Sequence, residues 1–293
     1  MSAHSIRLLL HNAIDYAGLF PPAALGMAEA VRNYASYRND LNNWALGRFI
    51  VPVARLREFE EEALKWASDG FWKISALGGP NMSLEQKIIA EFNAKHAGRF
   101  VIDTVEVKAA TPDEIQVLIS SVSPSLHLFV EIPIADDPTP LLATLQGTKF
   151  RAKVRTGGVT AEVFPRSDHL ARFIWTCAQM QVAFKATAGL HHPLRAVYPL
   201  TYKPGSETGT MYGYLNVLLA AVCARQGMDQ EELARLLEEE SVDAFEFEDT
   251  GVSWRAHHFT NDMLRETREH FFLSFGSCSF REPMDELTKL RLL

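Results

Sequence analysis

FRAKVRTGGVTAEVFPRSDHLARFIWTCAQMQVAFKATAG, residues 150–189, carries the pattern on which the fold turns. FRAKVRT (150–156) is a short β-rich run that ends in a Gly-Gly turn. PRSDHLARFIWTCAQMQ (165–181) then repeats its apolar residues at helical spacing, and VAFKATAG (182–189) returns to strand character. Strand, helix, strand is the βαβ unit, because two parallel strands need a long crossover between them.

The same alternation runs outward in both directions. GRFIVPV (47–53), FWKISAL (71–77), VIDTVEVKA (101–109) and LHLFVEIPI (126–134) read as strands. A helical patch follows each: REFEEEALKWASDG, SLEQKIIAEFNAKHAG, TPDEIQVLISSV and PTPLLATLQG. Ser83-x-x-Gln86, after the turn GGPN (78–81), has the form of a capping box; Thr111 is a good N-cap with Pro112 in the first turn. Further on, DAFEFED (243–249) and HFFLSFGSCSF (270–280) read as strands seven and eight.

Eight strands, each followed by a helix, predict an α/β chain folded as a (β/α)8 TIM-type barrel. Residues 47–293 form the barrel in this reading, and 1–46 form an N-terminal loop-helix extension packed on it. The competitor is an open doubly wound sheet. Neither a Gly-x-Gly-x-x-Gly fingerprint nor a Walker A loop is present, which removes the usual nucleotide readings.

Composition narrows the function classes. The 293 residues are 47% hydrophobic and 22% charged, as in an ordinary globular protein. The net charge of −7 and the lack of a basic run argue against nucleic acid or an anionic membrane as partner. Cys177, Cys223 and Cys278 are few, odd in number and far apart, which fits a reducing compartment without disulfides. No signal-peptide pattern opens the chain and its longest apolar run is too short to span a bilayer, so a cytoplasmic protein is expected. A homo-oligomer stays open.

Side chains alternate along a strand, so residues of one parity share a face. Glu106 and Lys108 share one face of their strand, as do His127, Phe129 and Glu131. Arg151, Lys153 and Arg155 share a third, Lys185 and Thr187 a fourth, and Glu246 and Glu248 a fifth. All lie toward the C-terminal strand ends, where barrel enzymes keep their chemistry. Buried charges are costly unless they pair or face a wet pocket, so this set marks a site or a structural ion network.

Lys185 has the sharpest reading. With Lys153 and Arg155 nearby, its amine is expected to lose its proton readily and to form a Schiff base with a carbonyl. Glu106 and Glu131 are candidate proton carriers, assisted by His191 or His192. Arg155 with the Gly157-Gly158 turn suits an anionic group, helped by Thr187 and Ser277. Asp15 and Tyr16, in IDYAGLFPPAA (14–24), become ligand contacts if that proline-stiffened segment covers the mouth, and are structural if it plugs the bottom. Cys278 reads as a packed residue or a nucleophile, and the long loop PLRAVYPLTYKPGSETGT (193–210) as a lid.

Phe184-Lys185-Ala186-Thr187-Ala188-Gly189 resembles the lysine strand of deoxyribose-phosphate aldolases and related class I aldolase barrels. There a Lys-x-Ser/Thr-x-Gly pattern on strand six carries the Schiff-base lysine, which implies that role for Lys185. This chain departs from the pattern on strand seven, where Glu246 and Glu248 stand in place of the family's second lysine. Asp15-Tyr-Ala-Gly-Leu-Phe-Pro-Pro22, Lys153-x-Arg-Thr-Gly-Gly158, Phe184-Lys-x-Thr-Ala-Gly-Leu-His-His192 and Phe275-Gly-Ser-Cys-Ser-Phe280 together resemble a bacterial family of conserved hypothetical proteins, which brings no chemistry with it.

The leading expectation is therefore an aldolase-type lyase acting on a small anionic metabolite, with no cofactor. The alternatives are a hydrolase or isomerase with a divalent metal on Glu106, Glu131, Glu248 and a histidine, and a non-catalytic binding protein for an anionic metabolite.

Overall fold

The computed structural model describes residues 4–79 and 81–293, with backbone alone at 67–69. Pro80, in the expected GGPN turn, lies outside the described residues. Eight staves close a barrel: β1 (Ile14–Tyr16), β2 (Leu46–Pro52), β3 (Trp72–Leu77), β4 (Phe100–Lys108), β5 (His127–Glu131), β6 (Arg151–Arg155), β7 (Phe184–Thr187) and β8 (Phe272–Ser277). Every neighbouring pair is parallel, and β1 closes the ring between β8 and β2. Helices stand between consecutive staves, so this is the expected α/β barrel of (β/α)8 type.

Two elements differ from the sequence reading. The three residues of β1 are a barrel stave, so the segment 1–46 is not simply an extension packed on the outside. DAFEFED is not a stave: Phe245–Phe247 joins Gly251–Trp254 and His257–Thr260 in an antiparallel sheet outside the barrel. The burial patterns give the reason. All of Ile14–Tyr16 is buried, as a stave must be, whereas Phe245 is buried and Glu246 and Glu248 are exposed. That alternation belongs to a sheet with one face in water. The revised count puts Lys153 on stave six and Lys185 on stave seven.

Local signals account for the helix ends. Thr111 is the N-cap as read, and it also closes a capping box with Glu114; the helix Met82–Lys95 is capped by Asn81, not Ser83. Tyr214–Arg225 is buried along almost its whole length, and its lone internal amide is satisfied. Asn216 Nδ2 donates to the Leu236 and Glu239 carbonyls, and its Oδ1 accepts from Arg195 N. Among the described residues no helix is long and apolar enough to cross a membrane.

Candidate active site at the barrel mouth

Five charged side chains from five staves form an alternating row inside the barrel. Lys185, on β7, is completely buried; its Nζ donates to Asp15 Oδ2 at 2.6 Å and to Glu106 Oε1 at 2.7 Å. Glu106 Oε2 lies 2.9 Å from Lys153 Nζ, as an ion pair. Lys153 Nζ in turn lies 2.8 Å from Glu131 Oε2. The row reads Asp15, Lys185, Glu106, Lys153, Glu131, and Lys108 touches its outer end at 3.5 Å.

Neighbouring polar groups hold the carboxylates. Ser75 Oγ donates to Glu106 Oε1 at 2.7 Å, and Ser274 Oγ to Asp15 Oδ2 at 2.7 Å. The Arg48 amide donates to Asp15 Oδ1 at 2.8 Å. Gly47 makes room there, since a Cβ would stand 2.4 Å from that same oxygen. Burial alone would push Glu106 toward its neutral acid, but Lys153 and Lys185 overcome it and hold the carboxyl well below the usual range. Glu131 is lowered in the same way, against burial, chiefly by Lys153. Burial opposes charge on Lys153 too, yet Glu106 and Glu131 raise its pKa.

Above this row lies a cavity of about 200 Å³. Glu106, Lys153, Arg155, Thr187, Gly158 and His191 line it; Lys185 does not, being enclosed behind the row. The expectation that Lys185 faces cations is corrected, since its direct partners are two carboxylates. Ala17, Phe20, Pro21 and Pro22 form another wall, so the proline segment covers the mouth. A wider groove of about 790 Å³ adjoins the cavity and shares Arg155 with it.

The remaining expected residues divide. Asp15 is an anchor for Lys185 rather than a cavity contact. Tyr16 points the other way, into a cluster with Tyr34, Tyr37 and Phe49, and is not a ligand contact. Gly157 does not line the cavity; a Cβ there would stand 2.4 Å from Phe164, so its smallness serves packing. Glu248 is exposed in the turn just after the outer strand Phe245–Phe247, far from the row in topology. The expected metal set therefore does not assemble: Glu106 and Glu131 are taken by lysines, and Glu248 is elsewhere.

The two histidines diverge, as adjacent loop residues do. His191 lines the cavity, with Nδ1 at 3.4 Å from Ser277 Oγ and 3.6 Å from Cys278 Sγ. Burial, aided by repulsion from His192, pulls its pKa down to about 4, so the ring is neutral near pH 7. Burial pushes the Cys278 thiol up to about 11, which removes the nucleophilic thiolate. His192 faces away; its Nδ1 sits 2.8 Å from Glu286 and its ring stacks on Tyr198. Among the described residues, His192, Glu282 and Glu286 bring potential metal-ligand atoms within 4.8 Å of one another.

The long loop folds as a hairpin, Ala196–Pro199 with Thr208–Met211. Tyr202 at its tip donates to Glu282 Oε2 at 2.8 Å and lies 3.4 Å from Cys278 Sγ. Ser75 and Ser274 went unnoticed in the sequence, whereas Phe20 and Pro22 belong to the segment 14–24, which was expected to cover the mouth or plug the bottom and covers the mouth. The serines had a signal, as isolated hydroxyls in their staves.

The fold and site together define a TIM-type barrel with a buried alternating charge row beneath a small closed mouth. Comparison with protein-family models, with curated proteins and with solved structures finds no match.

Proposed function

We propose that the protein is an aldolase-type lyase that joins a lysine to an anionic carbonyl substrate as an imine, and that this lysine is Lys153. One observation carries the reading: Lys153 is the lysine on the cavity wall, with a carboxylate on either side of its Nζ. Lys185 has no exposure through which a carbonyl carbon would reach it. The aldolase resemblance placed the imine lysine on strand six and a second lysine on strand seven. On the observed staves those positions belong to Lys153 and Lys185, although the Lys-x-Thr-x-Gly stretch itself lies on stave seven.

In this reading Glu131, 2.8 Å away, takes a proton from the Lys153 ammonium as substrate enters. The freed amine adds to the carbonyl carbon. Glu131 returns the proton to the new hydroxyl, which leaves as water and gives the iminium. Cleavage of the neighbouring C–C bond sends its electron pair into the iminium to form the enamine. His191, neutral at working pH, takes the proton from the departing hydroxyl. Lys185 keeps Glu106 ionised, so the row stays charged throughout. Arg155 holds the substrate's anionic group.

A second reading, a binding protein without turnover, is favoured by the raised pKa of Lys153, which makes it a durable cation. Borohydride reduction in the presence of small 2-oxo acids, aldehydes and ketones separates the two. Stoichiometric, carbonyl-dependent mass gain is expected. Saturable binding of those compounds with no gain in mass sinks the lyase reading and leaves the binding protein.

A further inference from the structure

Resting on the imine reading, we infer that the substrate is a short 4-hydroxy-2-oxo acid with an aliphatic tail, its single hydroxyl at His191, rather than a sugar phosphate. The cavity has two unlike sides. Lys153, Arg155 and Thr187 are polar and adjacent: Lys153 and Arg155 share a face of β6, and Arg155 pairs in register with Thr187. Thr187 is nine-tenths buried on this wall, and its enclosed hydroxyl has no hydrogen-bond partner. The other side is Phe20, Pro22, Ile50 and Leu77, with nothing there to bind the hydroxyls of a sugar.

Charge selects between anions. Three carboxylates are balanced by Lys185, Lys153 and, at the outer end, Lys108, and Arg155 leaves one net positive charge. A carboxylate adds one negative charge to that balance, and a phosphate dianion nearly two. Of the Gly157-Gly158 turn only Gly158 reaches the cavity, since Gly157 is packed on Phe164. A space of about 200 Å³ holds on the order of ten non-hydrogen atoms. Two residues along a strand span roughly 7 Å, which suits an amine on the carbonyl and a guanidinium on the adjacent carboxylate.

The test uses ligands that lack a carbonyl, so it does not depend on imine formation. Titration calorimetry of the wild type compares lactate, 2-hydroxy-4-methylpentanoate and glycerol 3-phosphate. The branched hydroxy acid is expected to bind at least tenfold tighter than lactate, because its tail buries apolar surface. Ile50→Ser and Leu77→Ser, with folding checked by thermal melts, should each shrink that ratio to about threefold or less. If one variant fails to fold, the other carries the comparison. Tighter binding of glycerol 3-phosphate, equal binding of the two hydroxy acids, or no binding of any carboxylate at millimolar concentration overturns the inference. Tight binding of the branched acid while 2-oxo acids give no reduced adduct overturns the imine reading alone.

Discussion

Lys153 and Lys185 stand side by side on adjacent staves, paired in register, yet their surroundings differ in kind. Each has two carboxylates within 3 Å. Lys185 is wholly enclosed and closes the row onto Asp15, which is itself held by Ser274 and the Arg48 amide. Lys153 has its inner side on Glu106 and its outer side on Glu131, whose side chain keeps about 11% exposure at the mouth. One lysine is a structural cation and the other faces a space that a ligand can enter. Depth along the same charge row separates the two roles.

The largest expected effect is on stability at the inner lysine. Lys185→Ala strands Asp15 and Glu106 in the core, and breaking such a buried pair costs about 3–5 kcal/mol. Urea unfolding should show that loss, and Lys153→Ala should cost clearly less, because Glu106 keeps Lys185 and Glu131 reaches water. Equal losses would erase the distinction. Gly47→Ala comes next, at about 1–3 kcal/mol, since its Cβ is forced onto Asp15 Oδ1 and the backbone of Ile14. An unchanged denaturation midpoint would show that Asp15 is free to move.

Acid should act on the same row. Glu106 and Glu131 titrate below their ordinary value of 4.5, so their stabilisation is present above that pH and is lost as pH falls below it. His191 adds an earlier loss. Its folded pKa of about 4 lies below the ordinary 6.5, so the unfolded chain binds the extra proton and stability declines from pH 6.5 downward. His191→Gln should flatten the decline between pH 6.5 and 4, measured by melting temperature across that range. An identical slope in wild type and variant would contradict the assignment. The smallest effect belongs to Glu248→Ala, exposed in a turn beside the outer sheet, with a change within about 0.5 kcal/mol and no loss of ligand binding.

The barrel was legible because seven of its staves announce themselves by β-rich runs between helical patches. The eighth was misplaced for a physical reason. Ile14–Tyr16 is too short to show a period, while Phe-Glu-Phe at 245–247 alternates strongly and looks more like a strand than the true stave does. Alternation marks a strand with one wet face, which a stave is not. Parity along staves four to seven correctly gathered Glu106, Glu131, Lys153 and Lys185. It did not reveal which lysine is deeper, because depth depends on how adjacent strands are staggered and on the cover from residues 17–22. That cover comes from a segment distant in sequence and carries no period of its own.

The most direct test of the account is peptide mapping of the borohydride-reduced 2-oxo acid adduct. The modified residue should be Lys153, with no adduct in Lys153→Ala and with Lys185 unmodified in the folded protein. An adduct on Lys185 in folded wild type would contradict the division of labour between the two lysines.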